Sequence, residues 1–203
     1  SMGSTLHHMV SALQKAPAER VTYVPLVGGM GRLRMELHAN SLAEKMSRLG
    51  DGTFIPLHAP ARVSSTLVRD ELMKEESVQD AVKLMNRIDV ALVGIGYPNE
   101  HSAIKATGYY KENEIESLVS RKAAGELCMQ FYDIEGHTGP YASDNAVIGM
   151  DIHRLCKVPC SVGIAGGKEK LSAIQGAING KYINVLITDT ECARALLSDE
   201  EEE

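Results

Sequence analysis

The stretch from Ser161 to Leu197, SVGIAGGKEKLSAIQGAINGKYINVLITDTECARALL, decides the fold. Its apolar opening stops at Ala165-Gly166-Gly167 and turns at once into Lys168-Glu169-Lys170. A helical pattern follows from Leu171 to Ile178, and then a second apolar run, INVLIT, from Ile183 to Thr188. Strand, glycine turn, helix, strand is the repeating unit of a parallel sheet. A glycine pair followed by lysines at the mouth of a helix also presents backbone N–H groups and a cation to an anion. A tight helix entry with an exposed lysine pair accounts for the same residues.

The unit recurs toward the amino terminus. Val21 to Leu26 (VTYVPL) is rich in strand formers and ends at Gly28-Gly29, and Met35 to Leu49 places Leu42, Ala43 and Met46 at helical spacing. Thr53 to Leu57 (TFIPL) predicts another strand, followed by helices over Ser65 to Lys74 and Ser77 to Arg87. Val90 to Ile95 (VALVGI) is an unbroken apolar run, and with Ser161 to Ile164 and Ile183 to Thr188 it predicts strands buried on both faces. Glu114 to Gly125 reads as a helix. Glu126 to Asp133 (ELCMQFYD) and the turn from Glu135 to Pro140 read as a strand and a hairpin-like excursion, a small inserted subdomain. The expectation is an α/β fold with a Rossmann-like, mostly parallel sheet, helices on both faces, and ligands beyond the carboxyl ends of the strands.

Composition narrows the class. The chain has 203 residues, 44% of them hydrophobic, which suffices for one core. A formal net charge of −6 at pH 7 argues against a nucleic-acid-binding surface on this chain. No window has the apolar length of a membrane span and the start lacks a signal-peptide pattern, so a cytoplasmic protein is expected. Cys128, Cys156, Cys160 and Cys192 form no CxxC pair and have no nearby histidine pair, which predicts reduced, mostly buried thiols and no metal site. The acidic run from Asp199 to Glu203 reads as a solvated tail.

Two further glycine loops resemble the first. At the amino terminus, Gly3 allows close approach while Ser4 and Thr5 offer hydroxyls to a phosphate at the start of a helix; a vector remnant followed by a capped helix explains them equally. The loop Val27-Gly28-Gly29-Met30-Gly31-Arg32 suits close backbone approach, with Arg32 or Arg34 as a source of charge, and a tight strand exit suits it as well. Neither GxGxxG nor GxxxxGK[ST] occurs, so no nucleotide cofactor is expected. Candidate acids and bases near strand ends are Asp89, Glu100, Asp133, Asp144 and Asp189 with His58, His101 and His137. Spacing brings no pair of them together, GxSxG and HExxH are missing, and capping or solvated roles suit the carboxylates better.

Four stretches in series carry a resemblance: VALVGIG at Val90 to Gly96, AAGELCMQFYDIEG at Ala123 to Gly136, NAVIGMDIHRL at Asn145 to Leu155, and the segment from Ile164 to Leu197. They resemble the effector-binding domain of bacterial transcription regulators of the SorC family, over nearly the whole chain. The resemblance implies a sheet of the sugar-phosphate isomerase and coenzyme A transferase type, a phosphorylated sugar as effector, no catalysis, and assembly as a homodimer or homotetramer. It implies that residues 1–203 are the effector domain, and that operator DNA is read by an amino-terminal helix-turn-helix module absent from this chain.

Carried over by position, the resemblance implies that Gly3, Ser4 and Thr5 cradle a phosphate. Gly28 and Gly29 line the pocket, and Lys170, three positions after Gly167 in the Gly166-Gly167 pair, contacts phosphate. Members that read a sugar bisphosphate carry arginine where Val27 stands, glutamine where His38 stands and an acid where Tyr97 stands. These departures favour a monophosphate and mark His38 and Tyr97 as positions that vary with the ligand. Members that hold the sugar on a lysine of the helix after the third strand place it where Glu71 stands here, one turn before Lys74, so the match to a Schiff-base lysine fails. The competing expectation is a sugar-phosphate isomerase or deaminase on the same sheet, which needs a positioned carboxylate base.

Overall fold

The computed structural model describes residues 1–17, 20–31, 34–99 and 103–198. Expectations placed on Arg32, Glu100, His101 and the tail from Asp199 lie outside these residues. The chain opens with helix α1 (Ser4–Ala12), strand β1 (Thr22–Tyr23), helix α2 (Ala39–Gly50), strand β2 (Thr53–Phe54), helices α3 (Thr66–Leu72) and α4 (Glu76–Met85), and strand β3 (Val90–Gly94). Helices α5 (Ala103–Ala106) and α6 (Glu112–Ser120) lead into strands β4 (Gly125–Leu127) and β5 (Gln130–Tyr132). The remainder is helix α7 (Ile152–Leu155), strand β6 (Cys160–Ile164), helix α8 (Leu171–Asn179), strand β7 (Val185–Ile187) and helix α9 (Thr190–Ser198).

Parallel pairing dominates. β3 pairs with β6 from Val90↔Cys160 to Gly94↔Ile164, and β6 pairs with β7 from Val162↔Val185 to Ile164↔Ile187. β1 and β2 form a separate parallel ladder. Because side chains alternate along a strand, Leu92, Val162 and Ile164 share one face and Ala91, Val93 and Ile95 the other. The first face packs on Leu6 and Val10 of α1 and Leu42 of α2. The second packs on Val78, Ala81 and Met85 of α4, Ile152 and Leu155 of α7, and Ala173, Ile174 and Ala177 of α8. Helices therefore cover both faces, as the alternation of apolar runs and helical patterns predicts.

Several elements depart from the sequence reading. The strand expected over Val21 to Leu26 pairs only at Thr22–Tyr23, since Pro25 has no N–H and Val27 turns away to bridge Gly149. Met35 to Leu49 is broken at the extended His38, with a 3-10 turn before it and α2 after it. The strands are not all buried on both faces: β7 is an edge strand whose Val185 and Ile187 are 43% and 54% exposed, and Val90 is 56% exposed. An apolar run cannot report whether a neighbour covers it. The thiols split likewise, with Cys128 and Cys192 buried and Cys156 exposed.

The inserted subdomain is the β4–β5 hairpin with α6 and the loops around them. The single strand expected over Glu126 to Asp133 is split by a two-residue turn, Cys128-Met129, with both residues at positive φ (51° and 64°), the geometry a tight hairpin requires. Phe131, Ile115, Leu118 and Tyr141 form the subdomain's core, which also holds Met2, Val27 and Met30. The subdomain is thereby fastened to two of the glycine loops.

Gly28 shows why one of those loops needs glycine. A Cβ there would lie 2.6 Å from the carbonyl oxygens of both Ala59 and Pro60, and backbone cannot swing aside as a side chain can. Gly28→Ala is expected to cost roughly 1–3 kcal/mol in urea unfolding. Gly31→Ala, where a Cβ meets nothing within 4 Å, should stay within about 0.5 kcal/mol of the parent chain.

Candidate functional site

Parallel pairing brings the carboxyl ends of β3 and β6 level, so the chain leaves Gly94 and Ile164 side by side. The loop from Ile95 to Pro98 and the loop from Ala165 to Lys170 therefore emerge together. The β4–β5 hairpin joins them through paired backbone hydrogen bonds between Gly96 and Glu126, at 3.1 and 2.9 Å. The amino-terminal loop reaches the same place: the Cys128 thiol lies 3.8 Å from the Ser1 hydroxyl, and Met2 O stands 3.4 Å from where a Cβ on Gly94 would be.

The first loop ends in the free amino-terminal turn of α1. Gly3, at φ 110°, takes a conformation that favours glycine, and its N–H donates to Leu37 O at 3.1 Å. The first helical hydrogen bond runs from His7 N–H to Gly3 O. The N–H groups of Ser4 and Thr5 thus belong to the first turn, which has no intrahelical acceptor for them. No side chain caps this turn and no acid stands in it. The helix macrodipole and these donors favour an anion. His38 follows Leu37 directly, so it borders this loop.

The other glycine pairs are committed differently. Gly28 N–H donates to Ile148 O at 2.9 Å and Gly29 N–H to Ala59 O at 2.8 Å, so both amides are engaged in holding neighbouring backbone. Gly167, at φ 101°, donates its N–H to the Asp189 carboxylate at 2.7 Å. Asp189 also accepts from Cys192 N–H at 2.8 Å, and these backbone bonds hold its pKa below the usual carboxylate value. A Cβ on Gly166 would meet the same carboxylate at 2.5 Å. One amide of the glycine turn is thus already satisfied by an internal anion. Of the lysines beyond it, Lys168 pairs with Glu191 at 3.6 Å, while the charge of half-buried Lys170 acts on Glu126. Tyr97 is half-buried and packs against the main core at the end of β3.

Glu126 is the residue that reading the sequence missed. It is buried, 5% exposed, and one carboxylate oxygen accepts from Met129 N–H at 2.8 Å. A Cβ on Gly96 would collide with its carboxylate, so glycine there makes room for the acid. Burial pushes its pKa up to about 7, against the Met129 hydrogen bond and Lys170, which pull it down. The available signal was an acid inside the apolar stretch AAGELCMQF.

The other candidates are dispersed. Asp133 accepts from the N–H groups of Glu135 and His137, and Asp144 pairs with Arg121 at 2.9 Å. Asp89 is exposed at the amino end of β3 and His58 is exposed in a loop. Lys74 is exposed and bonded to Glu71 at 2.7 Å, pointing to a surface pair and not to a sugar.

Residues 1–198 match the family described as "Putative sugar-binding domain", and the chain belongs to that family. It is 32% identical over 199 residues to the sorbitol operon regulator of Klebsiella pneumoniae, covering 97% of this chain and 63% of that protein. It is 28% identical over 204 residues to the deoxyribonucleoside regulator of Bacillus subtilis, covering 98% of this chain and 63% of the relative. The chain therefore spans less than two thirds of the length of these relatives. Among solved structures, the full-length sorbitol operon regulator SorC from Klebsiella pneumoniae superposes with a TM-score of 0.88 at 31% identity, over 97% of this chain and 64% of that one. A DeoR family transcriptional regulator from Listeria monocytogenes gives 0.88 at 25% identity, over 96% and 76%. The fold is the Rossmann-like α/β fold of these regulators' sugar-binding domains, as the four stretches implied.

The buried acid has a pH signature. A carboxyl whose pKa is higher folded than unfolded costs nothing while protonated in both states. Its cost begins as pH rises past 4.5, the ordinary value for a glutamate, and is complete above about 7. Glu126→Gln should therefore gain stability relative to the parent chain between pH 5 and pH 8 by on the order of 3 kcal/mol, read from urea unfolding at both pH values. An equal difference at the two pH values would contradict a buried carboxyl that ionises near neutrality.

Proposed function

We propose that this chain is the effector-sensing domain of a cytoplasmic bacterial transcriptional regulator, that its effector is a sugar monophosphate, and that it performs no catalysis. The observation that carries this reading is that the loop leading into the uncapped first turn of α1 reaches Gly94 and Cys128 at the carboxyl end of β3, and the hairpin that holds Cys128 also holds the buried Glu126, on which the charge of Lys170 acts. The phosphate is assigned to the N–H and hydroxyl groups of Ser4 and Thr5 together with Lys170, and the sugar to the space bordered by His38, Tyr97 and Glu126. Gly3 and Gly167 shape the loops, Gly166 leaves room for Asp189, and Gly28 and Gly29 form the supporting wall.

A monophosphate fits better than a bisphosphate because Val27 stands where members that read a bisphosphate carry arginine, and the glycine pair beside it has its amides engaged. Val27 is fully buried in the core, and the Gly28 and Gly29 amides are engaged. A sensor fits better than an isomerase because an enzyme needs a carboxylate base poised beside the reacting carbons. Among the described residues Glu126 is the one buried acid at the site, and its bond to Met129 N–H and its contact with Gly96 tie it into the hairpin.

Relatives named as operon regulators support the wider reading. In it, residues 1–198 sense the sugar, and a separate helix-turn-helix domain reads operator DNA. Ligation shifts the association of subunits in a homodimer or homotetramer, for which a coupling of about 1–3 kcal/mol is enough. The exposed Val185 and Ile187 on edge strand β7 supply an apolar surface suited to such assembly.

Calorimetry with a panel of five- and six-carbon sugar monophosphates tests the assignment. Lys170→Ala is expected to weaken the tightest of them roughly 10- to 100-fold, the loss of one charge-assisted hydrogen bond. Lys168→Ala, which removes a surface pair with Glu191, should leave affinity unchanged. Equal effects of the two substitutions, or isomerisation of the bound sugar followed by NMR, would overturn the reading.

A further inference from the structure

Beside the β4–β5 hairpin lies a polar cavity of about 240 Å³. Arg69 of α3, Gln130 of β5, Thr138 and Asn145 of the connection from β5 to α7, and Asp151 and His153 at the start of α7 line it. None of them belongs to the edge of β3 and β6 to which the phosphate is assigned. The cavity is smaller than the roughly 300–1,000 Å³ of drug-sized pockets, which restricts a ligand to a small molecule. Six polar side chains converging on that space suit one whose orientation they fix.

The floor of the cavity is held in one orientation. Buried Gln130 donates from Nε2 to Met150 O at 2.7 Å, and its Oε1 accepts from Ile152 N–H at 3.1 Å. A backbone N–H can only donate, so the two ends of this amide cannot be exchanged. The Asn145 atom 3.2 Å from Oε1 must then be the donor Nδ2, which turns the Asn145 Oδ1 carbonyl away from Gln130. That oxygen is buried and has no hydrogen-bond partner among the described residues. Buried polar atoms are paired as a rule, so an acceptor held in this way points to a donor the chain itself does not supply.

The groups around it set the chemistry of that donor. Arg69 lies across Asn145, donating to its backbone O at 2.6 Å, and its charge is met by Asp70 at 2.8 and 2.9 Å. A ligand carboxylate or phosphate would therefore find no unpaired cation, and would face the acceptor oxygens of Asn145 and Asp151. An ammonium would sit against the guanidinium. Asp151 accepts from His153 N–H at 2.8 Å with one oxygen, and the other has no bond among the described residues. Thr138 Oγ1 and His153 Nε2 share a hydrogen bond at 2.9 Å. Two acceptors, a hydroxyl and the remaining Arg69 N–H groups match a molecule whose groups both donate and accept, which is the property of neighbouring hydroxyls.

We propose that this cavity is a second ligand site and that it takes a neutral polyol, a small unphosphorylated sugar or sugar alcohol, one of whose hydroxyls donates to Asn145 Oδ1. α3 provides the way in: none of its residues is buried, so Arg69 can swing off Asn145 without opening the core. The inference does not rest on the identity of the effector or on the anion site.

The test titrates the isotopically labelled 203-residue chain with xylitol, mannitol and glucose and follows backbone and side-chain amides by NMR. The shifts are expected at the side-chain amides of Asn145 and Gln130 and at the backbone of Ile152 and His153, with Ser4, Thr5 and Lys170 unmoved. Thr138→Val removes the hydroxyl and Asp151→Asn removes the carboxylate while keeping a residue that caps α7; each is expected to weaken the tightest polyol roughly three- to tenfold, the loss of one hydrogen bond. An unchanged spectrum at high millimolar polyol would overturn the proposal, as would shifts confined to Ser4, Thr5 and Lys170 or an affinity that neither substitution alters. Inorganic phosphate or glycine moving Asn145 more than the polyols do would overturn the class of ligand. A sugar monophosphate is judged at Ser4, Thr5 and Lys170 and the polyol at Asn145, so either reading can fail with the other intact.

Discussion

The five-residue parallel register between β3 and β6 is the constraint on which the rest of the molecule depends. It sets Gly94 level with Ile164, so that the loops carrying Gly96, Tyr97 and Gly166 to Lys170 leave the sheet from one edge in one direction. It also sorts the alternating side chains into a face for α1 and α2 and a face for α4, α7 and α8. A slip of one residue would exchange those faces and separate Gly96 from Glu126. Core packing and site geometry are therefore enforced together.

At that edge the chemistry is set by which polar groups are already engaged. The amides of Gly28, Gly29 and Gly167 have acceptors within the protein, in Ile148, Ala59 and Asp189. Neither the turn at Ser4 and Thr5 nor the one after Gly167 has a side-chain cap, but only the second carries an acid, Glu169, in its first turn. Lys170 and Glu126 add a cation and a buried acid that titrates near neutrality. An incoming anion favours the protonated form of Glu126, and a deprotonated Glu126 holds Lys170 more strongly. On the proposed assignment, anion binding at this edge is coupled to proton uptake.

Much of this was legible in the sequence. Glycine pairs after apolar runs marked strand ends because a tight exit demands them, and the helical spacing of Leu42, Ala43 and Met46 placed α2. What stayed hidden depended on partners distant in sequence. The runs at Val90 and Val185 are as apolar as buried strands, yet their exposure is decided by which elements lie beside them. Gly28 and Gly166 looked alike, and only the tertiary neighbours show that one faces the carbonyls of Ala59 and Pro60 and the other the carboxylate of Asp189. Glu126 escaped notice because its importance comes from a hairpin that closes against Gly96, a contact across thirty positions that no local pattern carries.

The most direct test of the central claim, that an anionic sugar seats at the carboxyl ends of β3 and β6, is a titration of the isotopically labelled chain with a sugar monophosphate followed by amide NMR. The largest shifts are expected on Ser4, Thr5 and Lys170, with smaller ones at Gly96 and Met129. Movement confined to residues 20–26 or to the outer face of β7, or an unchanged spectrum at saturating sugar phosphate, would contradict it.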